Sequence, residues 1–232
     1  MFNILDLKAE RVLIKLDPDR PVTNGLRELI KSLPIRMLVI GGTQNVTIGN
    51  SYRLFELIKS LGYQGIVLQE LSSPEAIILE ADGYFLPVVL NTNSLYWLRD
   101  AHLSAIREYG KYIPWDRILI EGYLVCNPLS AISKVTGTNF PTASEAVSYL
   151  KLAEKIYNMP VFYLEYSGRY GDKKMVEAVL KARDNIHLIY GGGITTIGQA
   201  KEMLGIVDTI VIGNLAHEAP RELEKILNHL DL

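Results

Sequence analysis

The chain has 232 residues, of which 48% are apolar, enough for one large α/β domain with a sizeable core. Its formal net charge of −2, without a basic stripe, argues against a nucleic-acid partner. The single cysteine, Cys126, excludes an internal disulfide and a cysteine-based zinc site. The N-terminus lacks the features of a signal peptide, and no uncharged apolar run approaches the ~20 residues of a membrane helix. We therefore expect a soluble cytoplasmic protein.

Short apolar, β-branched runs alternate with helical patterns from one end of the chain to the other. Eight such runs predict strands, at positions 12–17, 37–43, 65–71, 84–91, 118–127, 161–167, 187–193 and 209–214. Their interiors are almost continuously apolar, which indicates a parallel sheet buried on both faces. Eight strands, most of them followed by a helical pattern and without any linker, predict a single (β/α)₈ TIM barrel over residues 1–232.

The regular alternation breaks after the third strand. Residues 72–82 are too few and too poorly patterned for a confident full helix. A missing third helix would open the barrel wall, and Ala76, Ile77, Ile78 and Leu79 could then line an apolar groove for a hydrocarbon tail. Ordinary packing of a short loop is the alternative, and the residues alone favour it.

Three successive strand ends carry glycine and polar residues, at YLEYSG (163–168), YGGG (190–193) and IGN (212–214). The carboxyl ends of the strands form the active site of such barrels, and strands seven and eight commonly bind phosphate. The consecutive glycines 191–193 and Gly213 would let an anion approach the backbone N–H groups closely. Ordinary tight turns also use glycine, but this concentration of glycine favours a phosphate site.

Charged residues follow other strands at the same edge. Asp17 and Thr43 could hold a Mg²⁺ that also binds substrate phosphates, although an Asp at a strand end is as often a loop cap. Lys15 lies two residues before Asp17 and shares its face, so we expect it to meet Asp17 or a substrate phosphate. Glu165 is the candidate base, with a structural carboxylate paired to Lys15 as the alternative. No metal or triad spacing relates the histidines, which we interpret as surface or structural: His102, His187, His217 and His229.

Together these motifs identify a family. KLDPDR (15–20), GGTQNVT (41–47), PVVLN (87–91) and EGYLVCNP (121–128), with the YLEYSG, YGGGI and IGN segments, resemble the prenylglyceryl phosphate synthases across essentially the whole chain. These are the archaeal geranylgeranylglyceryl phosphate synthases and the bacterial PcrB-like heptaprenylglyceryl phosphate synthases. The resemblance implies a TIM barrel whose third helix is replaced by an extended segment, and a homodimer.

The resemblance also implies the reaction, in which a prenyl group passes from a polyprenyl diphosphate to the hydroxyl of sn-glycerol 1-phosphate. An ether and diphosphate are the products, and a transient membrane contact to collect the lipid donor is compatible with this reaction. Asp17 and Thr43 match the Mg²⁺ positions, and Glu165 would take the hydroxyl proton. The glycerol phosphate positions are matched by Lys15, Tyr163, Leu164, Glu165, Tyr166, Ser167, Gly168, Gly193, Gly213 and Asn214.

The length of the donor is predicted from the fourth helix. In the archaeal enzymes a Trp fourteen residues after the Asn of the VLN motif limits the tail groove, and the same count from Asn91 reaches Ala105. With the VCN spelling at 125–127, this favours a heptaprenyl over a geranylgeranyl donor. Three nearby aromatic residues could still shorten the groove: Tyr96, Trp97 and Tyr109. Another phosphate-handling barrel enzyme and a non-catalytic phosphate-binding barrel are the competing functions.

Overall fold

The structure, a computed structural model, describes residues 2–230. Eight parallel strands form a closed barrel in chain order, in which the last strand pairs with the first. The strands are β1 Val12–Leu16, β2 Met37–Ile40, β3 Ile66–Glu70, β4 Gly83–Val89, β5 Ile118–Val125, β6 Val161–Glu165, β7 His187–Gly191 and β8 Thr209–Ile212. The (β/α)₈ barrel predicted from the sequence is therefore confirmed.

Helices surround the barrel. They are α1 Ile4–Lys8, α2 Asn24–Ser32, α3 Ile48–Ser60, α4 Ala101–Tyr109, α5 Ala131–Thr136, α6 Ala143–Lys151, α7 Lys173–Ala182, α8 Ile197–Leu204, α9 Asn214–Glu218 and α10 Pro220–Leu227. A capping box begins α6, since Thr142 and Glu145 satisfy each other's backbone N–H groups. None of the helices over residues 2–230 is both long enough and apolar enough to cross a membrane.

Between β3 and β4 the described chain contains a short 3₁₀ turn, Pro74–Ala76, and no α-helix. The buried side chain of Gln69 explains this extended path. Its amide donates to the carbonyl of Ala76 at 2.7 Å and accepts the N–H of Ile78 at 2.8 Å. One side chain thus supplies hydrogen bonds that a helix would have made internally. The replacement of the third helix by an extended segment is confirmed.

Side chains alternate along each strand between the barrel interior and the surrounding helices. The interior holds apolar residues in its lower layers: Leu13, Met37, Val39, Leu68, Phe85, Val161 and Ile189. The outward residues pack against the helices, as Ile14, Leu38 and Leu164 do. Near the carboxyl ends the inward residues become polar or charged. The carboxyl-terminal edge of the barrel is therefore the region where the apolar interior ends and polar side chains begin.

Candidate active site

Two polar clefts open at the carboxyl ends of the strands. The larger, of about 370 Å³, lies over β6, β7 and β8 and includes the glycine turn 191–193. The smaller, of about 70 Å³, lies over β1 and β2 and includes Asp17 and Thr43. Five residues line both clefts: Lys15, Glu165, Ser167, Gly213 and Asn214. The fold therefore brings strand ends that are distant in the sequence to one continuous site.

Glu165 ends β6 and is almost fully buried at the floor of the site. The hydroxyl of Tyr123 donates to its Oε2 at 2.6 Å, and the N–H of Ser167 donates to its Oε1 at 2.5 Å. Burial raises the pKa of Glu165, while the ammonium of Lys15, 3.7 Å from Oε2, opposes the rise. A carboxylate with raised proton affinity, held in one orientation, suits a general base.

Lys15 forms its nearest ion pair with Glu70 on β3, at 3.0 Å, and not with Asp17, which was one of its two expected partners beside a substrate phosphate. Strand β1 ends at Leu16, so the alternation that would keep Lys15 and Asp17 on one face no longer applies beyond it. Burial opposes the charge of Lys15, but the carboxylates of Glu70 and Glu165 outweigh it and raise the pKa of Lys15. Lys15 is therefore an ammonium ion held between two carboxylates.

Asp17 turns instead toward its own loop and toward β2. Its Oδ1 accepts the N–H of Asp19 at 2.9 Å, the loop-capping arrangement that was the alternative to a metal site. A Cβ atom on Gly42 would lie 2.5 Å from the same oxygen, so only glycine admits the carboxylate here. The backbone N–H of Asp17 donates to Nε2 of His217 at 3.0 Å. The Asp17 carboxylate and Thr43 both line the smaller cleft.

The described residues contain no group of three or more His, Cys, Asp or Glu side chains that could hold a metal ion. Asp17 and Thr43 offer one carboxylate and one hydroxyl in the same small cleft. Magnesium accepts such a sparse set when phosphate oxygens and water complete its coordination. The oxygen donors present therefore fit an ion that is bound together with a phosphorylated substrate.

Along residues 163–168 the strand alternation separates two groups of side chains. Tyr163, Glu165 and Ser167 line the site. Leu164 and Tyr166 point toward the surrounding helices, and the hydroxyl of Tyr166 contacts Met175 Sδ. The expectation that all of this segment binds substrate thus needs correction, because the Leu164 and Tyr166 side chains face away from the cleft.

The glycine corner has a tightly packed backbone. Gly193 adopts φ +59°, and a Cβ atom there would lie 2.1 Å from the carbonyl carbon of Arg169. Gly213 precedes α9, whose first turn has no side-chain cap. Free N–H groups at a helix start and a closely approachable backbone are the features that bind phosphate. Gly168, Gly193, Gly213 and Asn214 all line the larger cleft.

Three residues of the site had no assigned role in the sequence analysis. Glu70 pairs with Lys15, and Tyr123 orients Glu165. Arg20 lines the smaller cleft and donates to Asn214 Oδ1 at 3.2 Å and to Glu218 Oε1 at 3.1 Å. All three lie in predicted strands or in the KLDPDR motif. Their positions in the sequence do not show which residues they contact.

An apolar groove of about 380 Å³ begins beside the polar site and includes Thr43 and Glu70 at its head. It runs along the outside of β4 and β5, where the helix after β3 is absent. Its walls are Ile77, Leu86, Val88, Ile118, Ile120, Ala101, Ala105 and other apolar side chains. The geometry suits a molecule with a charged head and a long hydrocarbon tail.

From the residues alone this groove was the less favoured alternative to ordinary loop packing, and most of its expected wall in the extended segment is wrong. Of the four residues predicted to line it from the extended segment, only Ile77 does so. Ala76 and Ile78 are buried in the core, and Leu79 is 60% exposed. The bonds from Gln69 to the backbone of residues 76 and 78 hold both of those residues against the barrel. Of the three aromatic residues considered, Tyr96 and Trp97 line the groove and Tyr109 does not.

The histidines are less exposed than their scattered positions indicated. His102 is half-buried in the groove wall. His187 is buried and bonded to Thr209 at 2.8 Å, and His217 is buried behind Asp17. Only His229 lies on the surface. His187 is therefore structural, whereas His217 also lines the smaller cleft.

Proteins of known structure share this barrel. A structure of (S)-3-O-geranylgeranylglyceryl phosphate synthase from Thermoplasma acidophilum, in complex with sn-glycerol-1-phosphate, superposes with a TM-score of 0.81. It shares 22% sequence identity, over 97% of this chain and 94% of that one. A wild-type GGGPS from Thermoplasma volcanium gives the same TM-score at 21% identity, over 100% of both chains. At these identities the likeness concerns the fold.

Relatives closer in sequence carry a more specific name. Heptaprenylglyceryl phosphate synthase from Geobacillus kaustophilus is 37% identical over 215 residues, covering 92% of this chain and 89% of the relative. The protein of that name from Listeria monocytogenes serotype 4b is 39% identical over 217 residues, covering 93% and 94%. The model of the PcrB family matches residues 5–230. The chain therefore belongs to the PcrB family.

Proposed function

We propose that this prenyltransferase transfers a heptaprenyl group from heptaprenyl diphosphate to the free primary hydroxyl of sn-glycerol 1-phosphate, forming an ether. The observation that carries the proposal is the junction between a polar site and an apolar groove. Glu70 and Thr43 stand at the head of the groove, and Glu70 pairs with Lys15 in the polar site. A donor molecule could place its charged head in the polar site and its long apolar tail in the groove.

The acceptor is assigned to the larger cleft. Its phosphate would lie against Gly193, Gly213 and Asn214, and its free hydroxyl would approach Glu165. Tyr123 and the Ser167 N–H hold the Glu165 carboxylate in one orientation. Fixing the phosphate at one end brings the hydroxyl into line for attack at the other, which is the contribution of positioning to the rate.

In the reaction the allylic C–O bond of the donor breaks and the acceptor oxygen bonds to the same carbon. Glu165 takes the proton of the hydroxyl as the new ether bond forms. The leaving diphosphate keeps the electron pair of the broken bond. Asp17 and Thr43 would hold a Mg²⁺, which when bound neutralises charge on the leaving diphosphate.

The heptaprenyl donor is preferred because Ala105 is small at its position in the groove wall. The names of the relatives at 37% and 39% identity agree with that preference. A geranylgeranyl donor is the second candidate, since Tyr96 and Trp97 also line the groove. A homodimer, a cytoplasmic location and a transient membrane contact stay predictions.

One assay tests the reaction class and the donor together. Purified protein is incubated with labelled sn-glycerol 1-phosphate, with or without Mg²⁺, and with a series of donors from farnesyl to heptaprenyl diphosphate. We expect Mg²⁺-dependent label in the lipid phase, with the highest kcat/KM for the heptaprenyl donor. Preference for geranylgeranyl diphosphate would select the second candidate. Absence of labelled lipid with every donor would overturn the proposed function.

A further inference from the structure

A buried tyrosine hydroxyl joins the two loops that build the acceptor cleft. Tyr190 lies on β7 and is fully buried. Its hydroxyl accepts the N–H of Gly171 at 2.7 Å and donates to the carbonyl of Gly192 at 2.8 Å. Gly171 belongs to the loop after β6, and Gly192 belongs to the turn after β7. One hydroxyl therefore connects the backbones of both loops.

The two loops are also in tight steric contact. A Cβ atom on Gly192 would lie 2.5 Å from Tyr166 Cβ, and one on Gly193 would lie 2.1 Å from the Tyr170 nitrogen. Both glycines have positive φ, at +143° and +59°. A displacement of the loop after β6 must therefore displace the glycine turn, and with it the backbone that faces the larger cleft.

The ring of Tyr190 is held in place by its neighbours. Its centroid lies 5.7 Å from that of Tyr166 and 6.2 Å from that of Tyr170. Burial raises the pKa of Tyr190, while the N–H of Gly171 opposes the rise, so the hydroxyl keeps the proton that it donates. The side chain does not line the cleft. Any effect of Tyr190 on a ligand must therefore pass through the loops.

We propose that Tyr190 is a positioning residue for the acceptor's phosphate, because its hydroxyl fixes the spacing between the loop after β6 and the glycine turn after β7. This inference rests on the proposed function, in which that turn binds the phosphate of sn-glycerol 1-phosphate. It assigns no contact between Tyr190 and the substrate. Removing the hydroxyl leaves one N–H and one carbonyl without their partner, so the turn becomes free to move.

The test compares Tyr190→Phe with Tyr63→Phe. Both changes remove one buried hydroxyl, but the Tyr63 hydroxyl donates to the carbonyl of Ile35 at 3.2 Å, and Tyr63 lines neither polar cleft. For Tyr190→Phe we expect KM for sn-glycerol 1-phosphate to rise about tenfold, as the loss of two hydrogen bonds would give. Its kcat at saturating acceptor and its KM for the prenyl diphosphate should stay within about twofold of wild type. Every constant of Tyr63→Phe should stay within the same range.

Calorimetric titration of sn-glycerol 1-phosphate without donor separates the two proposals. Wild-type protein that neither binds the acceptor nor forms product contradicts the proposed function itself. Wild-type binding with equal affinity in Tyr190→Phe, or an equal loss in both variants, overturns the positioning role alone. If Tyr190→Phe does not fold, hydrogen exchange of the wild-type Gly171 amide decides. Acceptor binding should slow its exchange several-fold, and an unchanged rate would reject the inference.

Discussion

At the scale of single residues, Glu165 is the proposed general base. Glu165→Gln keeps the shape of the side chain and removes its capacity to accept a proton. We expect kcat to fall by about 10²- to 10⁴-fold, the usual contribution of a general base. Binding of sn-glycerol 1-phosphate, measured by calorimetry, should be largely retained because the glycine corner is unchanged. Turnover at the wild-type rate would reject Glu165 as the base.

Glu121 on β5 is an exceptional residue of the barrel interior. It is 0% exposed, and neither of its carboxyl oxygens has a hydrogen-bond partner among residues 2–230. Burial raises its pKa well above the ordinary value, with a further rise from the carboxylate of Glu70 and a counteracting effect of Lys15. A buried carboxyl without partners is far less costly when it is neutral. Its burial and its lack of a hydrogen-bond partner among residues 2–230 therefore both favour the protonated form of Glu121.

This state predicts a stability difference that depends on pH. A carboxyl whose pKa is raised by folding contributes stability below its unfolded pKa, about 4.3, and loses that contribution as pH rises toward its folded pKa. Glu121→Gln has no proton to lose. We compare the free energies of unfolding of the two proteins, measured by urea titration. The value for Glu121→Gln minus that for wild type should therefore increase as pH rises above about 5.

Glu145→Gln provides the matched control. The backbone N–H and hydroxyl of Thr142 lower the pKa of Glu145, so its contribution is present at neutral pH and is lost in acid. The two variants should therefore differ from wild type with opposite dependence on pH. A difference for Glu121→Gln that is constant between acid and neutral pH would mean that folding does not raise the pKa of Glu121.

At the scale of elements, α4 sets the depth of the groove. The helix runs beside β4 and β5 and presents Ala101 and Ala105 to the tail. Ala105→Trp should block the groove at that depth, so the longest donor accepted in the assay series should become shorter. Ser104→Trp is the control, because Ser104 is exposed on α4 and does not line the groove. An unchanged chain-length profile for Ala105→Trp would reject the assignment.

The segment after β3 was only partly predictable from its irregular sequence pattern. Its weak helical periodicity predicted the absence of a helix, which is correct. The residues that line the groove were not predictable, because Ala76, Ile77 and Ile78 are all small or apolar. The side chain of Gln69, seven residues before Ala76, selects which of them turn inward. Periodicity carries no information about such a bond.

At the scale of the whole molecule, exposed large apolar side chains gather on one part of the chain. Among the described residues, ten of the fifteen exposed large apolar side chains lie between positions 95 and 140: Leu95, Tyr96, Leu103, Ile106, Tyr112, Trp115, Ile120, Leu129, Val135 and Phe140. Several of them line the mouth of the groove. Concentrated apolar exposure is typical of surfaces that are covered by a partner. In sedimentation equilibrium at micromolar concentration we expect a homodimer, and a monomer at all concentrations would contradict this prediction.

The sequence by itself determined the barrel, its strand ends and the glycine corner. Apolar runs, β-branched residues and glycine stops are local signals, and a closed parallel barrel places all strand ends at one edge whatever the details of packing. Lys15, Asp17, Thr43, Glu165 and Gly213 could therefore be assigned to one edge before any partner was known.

Only the tertiary structure decided which of these residues touch. Lys15 pairs with Glu70, 55 positions away, because the register of β1, β2 and β3 brings both side chains into the interior. The same closure leaves Glu121 without a hydrogen-bond partner among the described residues and places the Tyr190 hydroxyl between two loops. Such contacts depend on distances between strands, whereas a sequence pattern reports only the face on which a side chain lies.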